Sequence, residues 1–128
     1  MEQVGNLLKK AQKYLQSAAV LLELEDFDSC ASRSYFAMFY AAQAILRQSG
    51  YSTGSNHGIR SSFCALYVDS GRLPERAREA IERGAALQEI GDYGGEFLVS
   101  REEAEWVLQE SEAFVNSIAR LIHAQTVG

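Results

Sequence analysis

The stretch that decides the fold of this chain is residues 27–50, which read FDSCASRSYFAMFYAAQAILRQSG. Between Tyr35 and Leu46 the only strongly polar residue is Gln43, so a helix here is apolar on nearly every side. That pattern is typical of a helix surrounded by other helices, and we predict that it lies at the centre of a bundle. Near its start is one cation, Arg33, whose guanidinium stays charged in proteins and therefore needs carboxylate, phosphate or water around it.

The segments before and after this stretch predict a helical hairpin and a loop. Apolar residues at steps of three and four indicate a first helix over about residues 2–24. Asp26 or Asp28 is expected to cap the central helix, since a carboxylate accepts hydrogen bonds from free backbone N–H groups. Gly50 is expected to end that helix, and the turn-forming residues 51–56 predict a loop.

The second half of the chain predicts three further helices. A short third helix is expected to be capped by residue 55 or 56. Pro74 suits the first turn of a fourth helix, in which Gly84 indicates a close helix crossing because glycine is otherwise costly inside a helix. The glycines of the segment 91–95 are expected to break the helical pattern. The segment 100–103, Ser-Arg-Glu-Glu, is a capping box that starts the last helix.

Length and composition favour one domain over residues 1–128, and helical periodicity without sustained period-two alternation favours an all-α fold. No apolar run is long enough to span a bilayer, and the first residues do not resemble a signal peptide. We therefore expect a cytoplasmic protein that does not bind membranes. The net charge of -5 disfavours a broad nucleic-acid surface and DNA binding. Cys30 and Cys64 are far apart in sequence and are predicted to be buried free thiols.

Known catalytic and metal-binding patterns exclude several classes. No Glu-x-x-His pair supports a di-iron bundle, and two separated histidines without clustered cysteines do not predict a zinc site. The glycines after the fourth helix do not form a nucleotide-binding loop. We therefore expect no metal and no cofactor. The residues that remain as candidates for a ligand site are Arg33, Tyr40, His57, Asp92 and Tyr93.

Each candidate has a structural alternative. Arg33 and Tyr40 share a helix face about two turns apart, and Arg33 could bind a phosphate bidentately or be tied to Asp92. Asp92 and Tyr93 could instead be turn and packing residues. His57 could be a helix-start side chain rather than a catalytic one.

The run RSYFAMFYAA at residues 33–42 resembles the central helix of the HEPN superfamily (higher eukaryotes and prokaryotes nucleotide-binding), in particular its small prokaryotic branch. Several other segments resemble that branch in the same order along nearly the whole chain. They are Gly50, His57–Gly58, Phe63, Tyr67–Val68, Gly71–Pro74, Gly91–Tyr93, Ser100–Ala104 and Ala113–Val115.

The resemblance implies an up-and-down helical bundle of four main helices plus one short helix. It also implies that the bundle forms a homodimer and pairs with a minimal nucleotidyltransferase in a toxin–antitoxin-like system. It also implies, for many members, a metal-independent ribonuclease that uses an arginine and a histidine separated by four to six intervening residues. Here the corresponding positions after Arg33 are Met38, Phe39 and Tyr40. At Gln88, relatives often carry an arginine. This chain therefore departs from the ribonuclease pattern at the residue that would exchange a proton near neutral pH.

Three functional hypotheses follow. The leading one is a non-catalytic partner of a nucleotidyltransferase that binds a nucleotide or RNA phosphate through Arg33. The second is a ribonuclease toxin with a non-standard acid–base residue, for which Arg33 and His57 are the candidate catalytic residues. The third is a structural dimeric subunit without a ligand.

Overall fold

The computed structural model describes residues 2–51 and 54–127, and every regular element in that part of the chain is helical. In chain order, its helices are α1 (Glu2–Glu23), α2 (Phe27–Gln48), α3 (Asn56–Phe63), α4 (Glu75–Tyr93) and α5 (Arg101–Val127). A π-helical turn, Cys64–Val68, extends α3. Four long helices and one short helix confirm the predicted all-α bundle.

The central position of α2 follows from its composition. It contacts each of the other helices, and the small residues on its surface let those helices approach closely. The crossing with α4 is close, since a Cβ atom added at Gly84 would lie 2.7 Å from the Cε atom of Met38. The close crossing predicted at Gly84 is therefore confirmed.

Side-chain caps fix where the helices begin. The carboxylate of Asp26 accepts the backbone N–H of Ser29 at the start of α2, at 3.1 Å. The hydroxyl of Ser55 does the same for α3. In the capping box, Ser100 and Glu103 accept hydrogen bonds from each other's backbone N–H groups at 3.1 and 2.9 Å. Each of these caps was among those the sequence predicted.

The end of α4 differs from the prediction. The segment 91–95 was expected to break the helix, but α4 continues through Gly91 to Tyr93. The glycine at this position has a tertiary role rather than that of a helix breaker: a Cβ atom added at Gly91 would lie 2.7 Å from the carbonyl oxygen of Asp28. Gly91 is thus required by close packing against α2. At the other end, Pro74 is the cap that precedes α4, one position earlier than expected.

The remaining predictions about the chain concern the loop, the cysteines and the membrane. Residues 52 and 53 of the predicted loop lie outside the described residues, and Gly50 ends α2 with a φ of +86°. Cys30 and Cys64 are free and buried, and burial raises the pKa of both thiols. Of the helices in the described part of the chain, none combines the length and apolar character that crossing a bilayer requires.

Candidate functional site

Arg33 points out of the bundle into solvent. It lies in the second turn of α2 and is exposed, although its neighbours Ser34 and Tyr35 are buried. Its guanidinium carbon lies 4.8 Å from the centre of the Tyr14 ring on α1. Across residues 2–51 and 54–127, Arg33 forms no salt bridge. Its charge is therefore not neutralised by a carboxylate of this part of the chain.

Asp92, the alternative partner for Arg33, is engaged elsewhere. Its carboxylate accepts a hydrogen bond from the hydroxyl of Ser32 at 3.0 Å and from the side-chain amide of Gln88 at 2.7 Å. Ser32 lies about 100° around α2 from Arg33, on the side that faces α4. Asp92 therefore joins α4 to α2 without involving the guanidinium.

Tyr40 lies on the same side of α2 as Arg33, about 10 Å further along the helix axis. The Tyr14 ring of α1 lies against both residues, and its centre is 5.2 Å from that of Tyr40 in an edge-to-face arrangement. The ammonium of Lys10 then lies 4.5 Å from the centre of the Tyr40 ring. Along the surface the groups follow in this order: the Arg33 guanidinium, the Tyr14 ring, the Tyr40 ring and the Lys10 ammonium. Such cation–π contacts hold a charged group in place without cancelling its charge.

Three lysines of α1 extend this surface. Lys9, Lys10 and Lys13 are exposed and, with Tyr14, Ser17 and Arg33, line an open groove of about 500 Å³. We call this surface, together with Tyr40, the basic groove. None of its lining residues is acidic. Four positive charges on a chain of net charge -5 create a local positive potential that attracts anions.

The Tyr40 hydroxyl keeps its proton at neutral pH. Burial raises the pKa of the Tyr40 phenol above its ordinary value, the neighbouring Tyr14 raises it further, and Lys10 lowers it by less. A neutral phenol does not repel a phosphate, and it can donate a hydrogen bond to one. It is unsuited to accepting a proton from a nucleophile near pH 7. In the basic groove, Tyr40 is therefore suited to binding a phosphate and not to acting as a general base.

His57 lies in a separate recess. It is exposed in the first turn of α3 and lines a recess of about 430 Å³ with Arg60, Glu82 and Glu89 among others. Arg60 donates a hydrogen bond to the hydroxyl of the buried Tyr35 at 2.9 Å, and its Nε atom lies 3.7 Å from a carboxylate oxygen of Glu82. Two acids in this recess offset the charge of Arg60, which disfavours an anion there.

Helix geometry explains why His57 does not meet Arg33. Arg33 and Tyr35 are two residues apart on α2 and so point about 200° apart around its axis. Arg33 faces α1, whereas Tyr35 faces the recess that contains His57. In one copy of the chain, the two candidate catalytic residues therefore line different surfaces.

Asp92 and Tyr93 lie in the last turn of α4. Asp92 has the hydrogen bonds described above, and the Tyr93 ring is exposed to solvent. Gln88 is buried and donates to Asp92, so at this position the chain has a neutral amide where the resemblance implies an arginine. Of the five candidate residues, the structure brings Arg33 and Tyr40 together and places the other three elsewhere.

The lysines of the basic groove and Arg60 were not among the sequence candidates. The signal for the lysines was their helical spacing: Lys9 and Lys13 are one turn apart, and Lys10 is one turn before Tyr14. This spacing within α1 does not reveal that Arg33 of the neighbouring helix lies beside the lysines. In the portion of the chain that the structure describes, no group of three or more His, Cys, Asp or Glu side chains could hold a metal ion.

Comparison with known proteins gives relatives along almost the full chain. The chain is 34% identical over 111 residues to the UPF0332 protein glr0978 of Gloeobacter violaceus, covering 86% of this chain and 88% of that one. It is 24% identical over 125 residues to a protein of Methanocaldococcus jannaschii named putative toxin MJ0142, covering 98% and 85% of the two chains. Another protein of that organism, 26% identical over 121 residues, is named putative toxin MJ0605.

A solved structure has the same fold. The crystal structure of TT1696 from Thermus thermophilus superposes with a TM-score of 0.79 at 19% identity and covers 94% of this chain and 98% of that one. In addition, the family model described as HEPN domain matches residues 4–121. The chain therefore belongs to the HEPN domain family.

Proposed function

We propose that this protein is the HEPN member of a toxin–antitoxin-like pair and that it binds a phosphate of a nucleotide or of RNA in the basic groove. The observation that carries the proposal is the exposed Arg33 guanidinium, which has cation–π contact with Tyr14 and no salt bridge within the described residues. Three lysines beside it add positive charge, and no acid lines the groove. An arginine fork of this kind suits the oxygens of a phosphate.

The toxin–antitoxin part of the proposal is supported by the names of two relatives, each called a putative toxin. We further propose that the protein acts as a homodimer and that its partner is a minimal nucleotidyltransferase, as the family resemblance implies. Co-expression with such an enzyme tests the pairing: a stable complex on size-exclusion chromatography supports it, and separate elution contradicts it.

A binding role fits the geometry better than catalysis. The groove that contains Arg33 offers the Tyr40 phenol, whose pKa is raised by burial, and lacks an imidazole. His57 lines the other recess, next to Glu82 and Glu89. A ribonuclease that combined Arg33 with His57 would need the two residues from different copies of the chain.

The phosphate proposal is tested by binding of a fluorescent RNA oligonucleotide, with ATP as competitor. We expect Arg33→Gln to weaken binding about tenfold or more, because a charge-assisted hydrogen bond contributes about 1.5 to 3 kcal/mol. The matched control is Arg47→Gln, which removes the same charge from the same helix at a residue hydrogen-bonded to Gln3. Equal losses in the two variants, or no loss in either, would contradict the proposal.

The same samples separate the remaining hypotheses. RNA length is followed by gel electrophoresis in the presence of EDTA, and we expect the RNA to stay intact. Cleavage that disappears in His57→Ala would instead favour the ribonuclease. A protein that binds neither ATP nor RNA would favour a structural subunit without a ligand.

A further inference from the structure

One end of the bundle is formed by the turn between α1 and α2, the last turn of α4 and the connection between α4 and α5. These segments are joined by hydrogen bonds: the backbone N–H of Val99 donates to the Asp28 carboxylate at 2.8 Å, and Ser32 donates to Asp92 at 3.0 Å. Gly91 also packs directly against the backbone of Asp28. The segments therefore form one continuous surface, which we call the acidic end.

Large apolar side chains at the acidic end are turned outward. The exposed fractions are 70% for Leu24, 77% for Tyr93, 69% for Phe97 and 73% for Leu98. The segment that carries Phe97 and Leu98 is anchored, because the next residue, Val99, is buried and its N–H is hydrogen-bonded. We call these four exposed residues the apolar patch, and large apolar side chains exposed at one end of a molecule mark interaction sites.

The two chain segments that carry the apolar patch are strongly acidic. Arg101 is the one base among residues 23–28 and 89–103, and it pairs with Glu25. The acids of these two segments are Glu23, Glu25, Asp26, Asp28, Glu89, Asp92, Glu96, Glu102 and Glu103. Several of them cap helices or accept hydrogen bonds, but an accepted hydrogen bond leaves the negative charge in place. The acidic end therefore has a strong negative potential around an apolar centre.

We infer that the acidic end binds a basic, amphipathic segment of a partner protein. The apolar patch would take the partner's apolar side chains, and the surrounding carboxylates would pair with its Lys and Arg residues. Complementary charge of this kind selects the partner and orients it, while the apolar contacts supply most of the affinity.

The same charges argue against other occupants of the acidic end. Two copies of the chain related by a two-fold axis at this surface would place acids against acids. Anionic lipids and nucleic acids would be repelled for the same reason. The acidic end is distinct from the basic groove, so this inference does not depend on phosphate binding at Arg33.

The test is a selection of binders from a library of random 16-residue peptides displayed on phage. The full-length protein is the bait, and the double variant Phe97→Ser/Leu98→Ser is used for counter-selection. We expect the selected peptides to combine Leu, Phe or Trp with several Lys or Arg residues. Their affinity, measured by fluorescence polarisation, is expected to fall about tenfold or more in the double variant, as for residues at the centre of an interface.

A charge variant and a control make the result specific. Glu96→Lys/Glu102→Lys should weaken the same peptides without removing any apolar contact, and added salt should weaken binding to the wild type. Tyr51→Ser is the control, because Tyr51 is an exposed aromatic residue just after the C-terminal end of α2, away from the acidic end. It should bind the peptides as the wild type does. All of the substituted side chains are exposed, and circular dichroism checks that each variant is folded.

Several outcomes would overturn the inference. These are a selection without binders, binders without enriched Lys and Arg, or binders unaffected by both sets of substitutions. Self-association in sedimentation that is lost in Phe97→Ser/Leu98→Ser would show that a second copy covers the patch. Binding to vesicles containing phosphatidylserine that is lost in the same variant would show that the surface meets a membrane.

Discussion

At the scale of single residues, the basic groove combines fixed positions with free charge. Arg33 and Lys10 lie over the rings of Tyr14 and Tyr40, and an exposed cation–π contact contributes about 0.5 to 1 kcal/mol. An ion pair would hold the side chains as well but would cancel the charge that a phosphate needs. The rings therefore orient the cations and leave them available to an anion.

In contrast to Arg33, Arg76 has its charge paired with a carboxylate, that of Glu110. This ion pair gives a prediction about how the stability of the protein depends on pH. Nε and Nη2 of Arg76 donate to the two carboxylate oxygens, each at 2.8 Å, and these hydrogen bonds lower the pKa of the Glu110 carboxyl. The resulting stabilisation is present above the unfolded pKa of about 4.3 and is lost as the pH falls through the lower folded pKa. We expect Arg76→Gln to lower the urea midpoint at neutral pH. In acid, the midpoint of the variant should approach that of the wild type.

The control for this prediction is Arg120→Gln, which removes an exposed arginine of α5 whose hydrogen bond is to the Ser117 hydroxyl at 3.4 Å. The difference in urea midpoint between Arg120→Gln and the wild type should not change with pH in the range where Glu110 titrates. A difference between Arg76→Gln and the wild type that stays constant from neutral pH into acid would contradict the role assigned to the pair.

At the scale of helices, two glycines of α4 lie equally close to α2 but have different neighbours. A Cβ atom at Gly84 meets the flexible end of Met38, whereas a Cβ atom at Gly91 meets the backbone of Asp28, each at 2.7 Å. Met38 can shift, and alanine favours a helix by about 1 kcal/mol. The backbone at the start of α2 cannot shift without disturbing its cap.

We therefore predict that Gly84→Ala changes the free energy of unfolding little, within about 1 kcal/mol, and that Gly91→Ala lowers it by about 1 to 3 kcal/mol. Urea denaturation of the two variants measures this directly. Equal effects of the two substitutions would show that the contact between Gly91 and Asp28 does not constrain the packing of α4 on α2.

The same glycines show how much of the helical arrangement could be predicted. The spacing of apolar residues and the candidate caps, Asp26 or Asp28, residue 55 or 56, and Ser100, indicated where the helices begin, because those signals are local. The extension of α4 through Gly91 could not be predicted, because the need for glycine there comes from α2, which is distant in sequence. Local rules treat such a glycine as a helix breaker.

At the scale of the whole molecule, the charges are separated. The basic groove lies between α1 and α2, and the acidic end joins the last turn of α4 to the turn before α2. The net charge of -5 is therefore an average over two surfaces with opposite preferences. Under the two proposals, one surface binds a phosphate while the other binds a basic protein segment.

The candidate site was only partly predictable for a related reason. Arg33 and Tyr40 were found from the sequence because both lie on one face of one helix. Tyr14 and the three lysines are close to them only because α1 packs on that face of α2. The distance of His57 from Arg33 likewise depends on how α3 packs against α2, which spacing along the chain does not contain.

The most direct test of the phosphate site is an NMR titration that follows the Nε–Hε resonances of the arginine side chains. The protein is labelled with ¹⁵N, assigned by comparing wild type with Arg33→Gln and Arg60→Gln, and titrated with ATP and with a short RNA. We predict that the Arg33 resonance shifts with saturation, together with backbone resonances around Tyr14, while that of Arg60 stays in place. A shift of Arg60 and His57 without Arg33, or no shift with either ligand, would contradict the account.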